Sequence, residues 1–427
     1  MTFLRQLGIT GAFISVTTLF FAWGFITSNN DPLIVALRAV FDLNYTEALM
    51  TQLVFFLAYG LMSLPAASLG NRLGPVNTIV TALGVMIFGC LLVQFSARFD
   101  SYAPILMALF VLAVGITTLQ VAANPLAAAL GPQSTSHFRL TFAQTFNSLG
   151  VVVGVHYGSW IMLGDKVIND KAGPITDPVQ RAEALGAVNH AFTIMAGMLA
   201  VLVLFVLFQR KRITDAAEGI GPMPQASVLD ALKSRWALLG AAAIGLYVGA
   251  EVSIGSIMIN FLNEKDILGL PFEAGGQYLA NIYWMGALVG RFIGSFLLTR
   301  IAAPRLLAIN ALIAAVLCGT VFMTSGPVAA YAALGVGLFN SIMFPTIFTI
   351  TLERSGVSQS STSGLLCLAI VGGAILPLLV GRVADSISLS AAFILPMLAY
   401  VFITGFALKA RNAKVLGSGG GLAAVSH

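Results

Sequence analysis

Three ionisable residues stand inside otherwise apolar stretches: Asp31 in "TSNNDPL", Glu251 in "AAAIGLYVGAEVSIGSIMIN" and Arg291 in "GALVGRFIG". A charged side chain at the centre of a bilayer costs about 2.5–3.5 kcal/mol on insertion scales, so each such residue carries a functional hypothesis. Asp31 is preceded by Asn29 and Asn30 and followed by Pro32, which removes a backbone donor and clashes with the preceding turn. A carboxylate beside a locally opened helix is a ligand or ion site; alternatively, 27–33 marks the outer end of a shorter first helix. A glutamate in the setting of Glu251 exchanges a proton, holds a sodium ion or accepts hydrogen bonds from hydroxyls, unless it pairs with Arg291 or a backbone donor. Arg291 itself is expected near the cytoplasmic half of its span, in a structural role.

Amides form a second set. Gln120 and Asn124 are four apart in "TTLQVAANPLAAALGP", and Gln144 and Asn147 three apart in "RLTFAQTFNSLG", so each pair shares a helix face. An amide donates and accepts at once, which suits a ring of sugar hydroxyls better than an apolar drug. Membrane helices also use Asn and Gln as packing glue, and periodicity weighs the two readings equally. Asn281 and Trp284, three apart, offer an indole for the apolar side of a pyranose with an amide beside it, or an ordinary packing or interface anchor. Asn260 and Asn340 are candidates of the same kind. His156 and His190 are expected near the outer surface.

What positions these residues follows from composition. The chain of 427 residues is 58% hydrophobic and 9% charged, with a mean hydropathy of +0.92. Soluble domains carry about a quarter charged residues, so this is an all-α integral membrane protein. Its apolar stretches are each about 20 residues or longer, enough to cross a hydrocarbon core as helices. The expected spans are 11–38, 48–70, 75–96, 102–130, 140–163 and 188–208, then 236–262, 275–299, 304–325, 327–352, 360–382 and 388–409. The first is too long for a cleavable leader and lacks a small-residue cleavage site after it.

Sorting Lys and Arg into alternating sides places 14 on one side and 7 on the other, with Arg291 inside a span. The richer side is cytoplasmic by the positive-inside rule, which puts both termini there. The net charge of +5 is then accounted for by topology and anionic lipid, without a nucleic-acid partner. The polar stretch 209–235 divides the spans six and six, giving halves 1–208 and 236–409, a linker with a short amphipathic helix near 228–235, and a tail 410–427. Residues 164–187 are expected as a loop between spans five and six. "SLPAASLGNRLGP" and "GRFIGSFLLTRIAAP" correspond across the halves, as do the proline-bearing fourth and tenth spans. Two such halves with a substrate site between them near the midplane are the design of major facilitator proteins.

The motifs also resemble a known family. "NND", "QVAANP", "LGP" and "RLTFAQTFNSLG" are similar to the fucose:proton symporter family of that superfamily. "YVGAEVSIGSIMINFL", "FPTIFTITLE" and "GLLCLAIVGGAILPLL" look more like its glucose/galactose transporter branch. The resemblance covers nearly all twelve helices and favours amides as sugar ligands. It implies that Asp31 takes part in proton coupling and that Gln144 and Asn147 line the sugar cavity. Where the fucose symporters have a glutamate on the fourth helix this chain has Gln120, which does not titrate, so a second coupling acid must lie elsewhere, with Glu251 the candidate.

No HExxH, GxSxG or GxxxxGK[ST] motif and no cluster of His and Cys points to an enzyme or a metal site. Cys90, Cys318 and Cys367 lie far apart in apolar spans, implying neither disulfides nor metal. The resulting expectation is a twelve-helix secondary transporter of a bacterial inner membrane, importing a hexose of glucose or galactose type by cation symport. Proton is preferred to sodium, no cofactor is needed, and a monomer is the simplest state. Asp31 and Glu251 are the coupling candidates. Asn30, Gln120, Asn124, Gln144, Asn147, Glu251, Asn281, Trp284 and Asn340 are the candidate sugar contacts. The alternative is an uncoupled sugar facilitator or an exporter of the same fold.

Overall fold

Hydrocarbon offers a backbone N–H or C=O no water to bond, so a chain that crosses it must close its own hydrogen bonds. Helices meet that demand throughout the part of the chain that the computed structural model describes, residues 10–43, 50–99, 101–163, 175, 177–218 and 228–416. α1 consists of Gly11–Ser28 and Asn30–Phe41. α2 and α3, residues 50–73 and 75–96, are two helices joined at Gly74, whose φ of 76° and ψ of 166° leave the helix. α4 is Tyr102–Ala129, α5 Ser136–Leu163 and α6 Pro178–Glu218. α7 is Arg235–Asn263, and α8 combines Phe272–Tyr278, a π-helical turn Leu279–Trp284 and Met285–Leu297. α9 is Ala303–Met323, α10 is Gly326–Asn340 followed by Met343–Arg354, α11 fills Gln359–Ser386 and α12 Leu389–Arg411. The described residues thus hold the twelve expected helical spans.

Two boundaries differ from expectation. α6 begins at Pro178 rather than at 188, so the end of the expected loop 164–187 is helical. The reason is a local start signal: the Asp177 carboxylate accepts from the Val179 amide at 3.2 Å, and Pro178 takes the first helical position, where its missing N–H is no loss. α6 also continues to Glu218 through "QRKRITDAAE", whose long side chains favour helix over the expected linker. Val228–Lys233 forms a 3-10 turn close to the expected amphipathic helix. The rest of the linker, 219–227, lies outside the described residues, as do 164–174.

Among the described residues, 10–126 with 146–218 make one compact unit, and 127–145 with 228–416 make another. In the first, Gly150, Gly154 and Gly158 of α5 lie under α1. A Cβ on Gly150 would overlap the Phe21 carbonyl, one on Gly154 the Phe25 carbonyl and Ser28 Oγ, and one on Gly158 would press on Asn29 and Pro32. Gly24 of α1 returns the contact against the Asn147 backbone. Small residues let membrane helices approach until their backbones touch. In the second unit α7 and α11 repeat the device. A Cβ on Gly372 would overlap the Gly245 carbonyl, and one on Gly249 would meet Gly372 and Leu376. α7 is to the second half what α1 is to the first, and α11 what α5 is, so the internal symmetry shows in the packing.

The turn between α4 and α5 is held by Arg139, whose side chain is fully buried. Its guanidinium donates to the carbonyls of Ala128, Gly131 and Pro132 and to Thr135 Oγ1. These acceptors include orphan carbonyls at the C-terminal end of α4, where a cation is also favoured by the helix dipole.

The glycine contacts generate a prediction. Gly154→Leu should destabilise the first unit by about 1–3 kcal/mol, the usual cost of overpacking. It should be read as a lowered melting temperature and a smaller monodisperse fraction in detergent. Gly186→Leu, where nothing lies within 4 Å of the added carbon, is the control and should leave both unchanged. Equal behaviour of the two variants would show that the α1–α5 approach does not need its glycines.

Candidate functional site

In the first unit the site candidates gather where α1 is interrupted. Asn29 parts the two pieces of α1 with φ −68° and ψ −10°, so the axis is disturbed without the chain leaving the helical region. The second piece continues to Phe41. Residues 27–33 are therefore an interruption within α1, and the reading of them as the end of a shorter helix is not what the structure has. Pro32 explains it, since it cannot donate to the Ser28 carbonyl one turn back. The Asn29 amide nitrogen donates to the Phe25 carbonyl at 2.6 Å. The side-chain oxygens of Asn29 and Asn30 are buried and have no partner among the described residues. The backbone of Asp31 lies in the helix beside them, and its side chain is outside the described residues.

Gln120 of α4 is buried and donates through its amide nitrogen to the Tyr59 hydroxyl of α2. Asn124 is fully buried one turn further along α4. Asn147 of α5 is also buried, and its side chain donates to the Phe20 carbonyl of α1 at 3.2 Å, so it serves helix packing in this arrangement. Gln144 is buried but belongs to the second unit. The structure thus brings Asn29 and Asn30 together with the α1–α5 contact, and ties Gln120 to a tyrosine that the sequence had not singled out.

In the second unit one face of α7 carries Tyr247, Glu251 and Gly255, four apart. The Tyr247 hydroxyl donates to Glu251 Oε1 at 2.9 Å, and Arg291 Nη2 of α8 lies 3.7 Å from the same oxygen. Both ionic side chains keep a small exposure, 15% for Glu251 and 13% for Arg291. The pairing of Glu251 with Arg291, given above as the alternative to a ligand role, is therefore present together with a phenol donor. One turn along, the Trp284 indole lies over Gly255, 3.4 Å from where a Cβ would stand. A carboxylate and an exposed aromatic face are thus neighbours.

Asn281 and Trp284 fall in the π-helical turn of α8, whose i→i+5 bonding widens the turn. Both side chains are exposed. Asn340 is fully buried at the end of the first piece of α10 and donates to the Tyr283 hydroxyl at 3.0 Å. Asn260 is exposed. His156 and His190 are exposed as well.

Sequence reasoning missed Tyr59, Tyr247 and Tyr283, the hydroxyl partners of Gln120, Glu251 and Asn340. Tyr247 was findable, because it precedes Glu251 by four residues on one helix. Also missed was a cluster at the end of α10. There Glu353 Oε1 accepts from Ser136 Oγ at 2.9 Å and stands 3.2 Å from His137 Nε2, while Arg354 lies 3.1 Å from the other oxygen. No group of His, Cys, Asp and Glu among the described residues has a metal-binding arrangement.

The family model described as Major Facilitator Superfamily matches residues 7–366. The glucose/galactose transporter of Brucella abortus is 43% identical over 397 residues, covering 93% of both chains. The L-fucose-proton symporter of Escherichia coli is 30% identical over 410 residues, covering 92% of both. The solved structure of the major facilitator transporter FucP in the outward conformation superposes with a TM-score of 0.80 at 28% identity, covering 94% of this chain and 99% of the other. With the long apolar helices of its described residues, its paired glycine contacts and matches of this extent, the chain is a multi-pass membrane transporter, not an enzyme, and belongs to the Major Facilitator Superfamily.

Proposed function

We propose that the chain imports a hexose of the glucose or galactose type across a bacterial inner membrane by cation symport, with alternating access between halves 1–208 and 236–409. The observation that carries this reading is the 43% identity, over nearly the full length of both chains, to a glucose/galactose transporter. Proton is preferred to sodium as the coupling ion because the L-fucose-proton symporter is related over a similar extent. Both termini face the cytoplasm on the count of basic residues, and the transporter works as a monomer.

The residues support the sugar. A pyranose presents hydroxyls around its edge and C–H groups on its faces. Trp284 over Gly255 offers a ring for such a face, and Glu251, already holding the Tyr247 hydroxyl, is an acceptor for the edge. The buried Asn29 and Asn30 oxygens are acceptors that a ligand hydroxyl or a water would satisfy. Gln120, Asn124, Gln144, Asn147, Asn281 and Asn340 complete the set of proposed contacts, and Asp31 is the proposed coupling acid, with Glu251 the second.

Radiolabelled glucose uptake into sealed proteoliposomes tests coupling, using an inward proton gradient, an inward sodium gradient or neither. The native protein should accumulate sugar with the proton gradient. Asp31→Asn should lose accumulation while keeping exchange at equilibrium. Uptake equal under all three conditions and indifferent to the substitution would make the protein a facilitator.

A second prediction concerns the α7 face. A hydrogen bond to a charged group is worth about 1.5–3 kcal/mol, so if Tyr247 orients Glu251 for the sugar, Tyr247→Phe should raise KM roughly ten-fold. Glu251→Gln should abolish gradient-driven uptake. Native kinetics in both variants would remove α7 from the site.

A further inference from the structure

α10 is interrupted at Ser341 and Ile342, both still in the helical region of φ/ψ, and its sequence supplies one part of the cause. In a continuous helix the Ser341 carbonyl would accept from the amide of residue 345. That residue is Pro345, which has none. α4 carries the corresponding Pro125 and stays one helix, Tyr102–Ala129, so a proline alone does not impose the break. In α10 the released carbonyl has another partner: Arg291 Nε of α8 donates to it at 2.9 Å. The same guanidinium presents Nη2 to Glu251 of α7 at 3.7 Å. A planar guanidinium holds two such partners in fixed relation, which an ammonium does not.

The two pieces of α10 are held differently. The first is fixed to α8: Asn340 donates to Tyr283, and a Cβ on Gly290 would overlap the Leu338 carbonyl and Ser341 Oγ. The second piece, Met343–Arg354, ends in Glu353, which accepts from Ser136 and stands beside His137 of α5. A change in the bend between the pieces therefore moves the Glu353 contact relative to α8.

We propose that Arg291 is a positioning residue that couples Glu251 to the break in α10, so that an ion or a sugar hydroxyl engaging Glu251 resets the grip of Arg291 on the Ser341 carbonyl and with it the bend of Met343–Arg354. This rests on Glu251 being part of the transport site. Its consequence is that Arg291 and Pro345 govern turnover rather than sugar affinity, although neither is needed to contact the sugar.

Pro345→Ala is the sharpest test, because it returns an amide to position 345, lets the helix reclaim the Ser341 carbonyl and touches neither Arg291 nor Glu251. In proteoliposome uptake of glucose, Pro345→Ala and Arg291→Gln should each lower the maximal rate about five-fold or more with KM within about two-fold. The double variant should be no slower than the worse single one, because both remove one interaction. Arg291→Lys should rescue only in part. Amide hydrogen exchange over 340–346 should slow in Pro345→Ala and quicken in Arg291→Gln. Native rates in Pro345→Ala, effects that multiply in the double variant, or a loss of affinity in step with rate would each overturn the inference. If native protein fails to take up glucose, the hexose reading fails. The exchange measurement then still decides on Arg291, with unchanged exchange in both variants counting against it. Should Arg291→Gln not remain monodisperse, rate and exchange in Pro345→Ala alone decide the matter.

Discussion

A polar group left without a partner in hydrocarbon costs several kcal/mol, and this constraint organises the molecule. Every ionic side chain that the structure places deep in the second unit is met by donors or countercharge. Glu251 has Tyr247 and Arg291, and Glu353 has Ser136, His137 and Arg354. Arg139 is met in turn by four oxygens of one turn. Pairing of this kind adds little net stability, since taking both charges out of water offsets much of the attraction. What it does supply is a defined arrangement that a substrate or an ion can disturb.

Glycines and prolines prepare the backbone for that role. Glycine stripes bring α5 onto α1 and α11 onto α7, so the residues beside Asn29 and those beside Glu251 sit on helices whose backbones are in contact. Prolines release carbonyls one turn earlier, and the outcome depends on what is near. Beside Pro32 the helix is interrupted for one residue, beside Pro125 it is not, and beside Pro345 the freed carbonyl is taken by an arginine and the helix parts. The same residue type thus gives three local structures, and beside Pro345 a tertiary partner takes the released carbonyl.

This explains what could be read from sequence. Composition and span length were enough for an all-helical membrane protein of twelve spans, because the hydrocarbon core admits so few solutions. The motifs pointed to the family through residues that the structure places in buried contacts, such as Gln120 and Asn147. Hidden were the partners from distant segments. Nothing near Gln120 in sequence announces Tyr59, and nothing near Arg291 announces Ser341. The π-helical turn that holds Asn281 and Trp284 was also hidden, because such a turn has no simple sequence signature. The start of α6 was missed because hydropathy outweighed the Asp177–Pro178 capping signal.

Gln120 sharpens the mechanistic consequence. The resemblance to the fucose symporters implies a carboxylic acid at this place on the fourth helix; here a neutral amide donates to Tyr59. An amide in that position binds hydroxyls equally well before and after a proton arrives, so it cannot report protonation to the sugar. Any coupling must then be carried by residues whose charge or partners change. In the second unit Glu251 is a carboxylate whose countercharge, Arg291, is also bonded to the Ser341 carbonyl at the interruption of α10. On the proposed reading, with Glu251 as the second coupling acid, that acid stands next to the interruption of α10, where a change of partner would be converted into a change of shape.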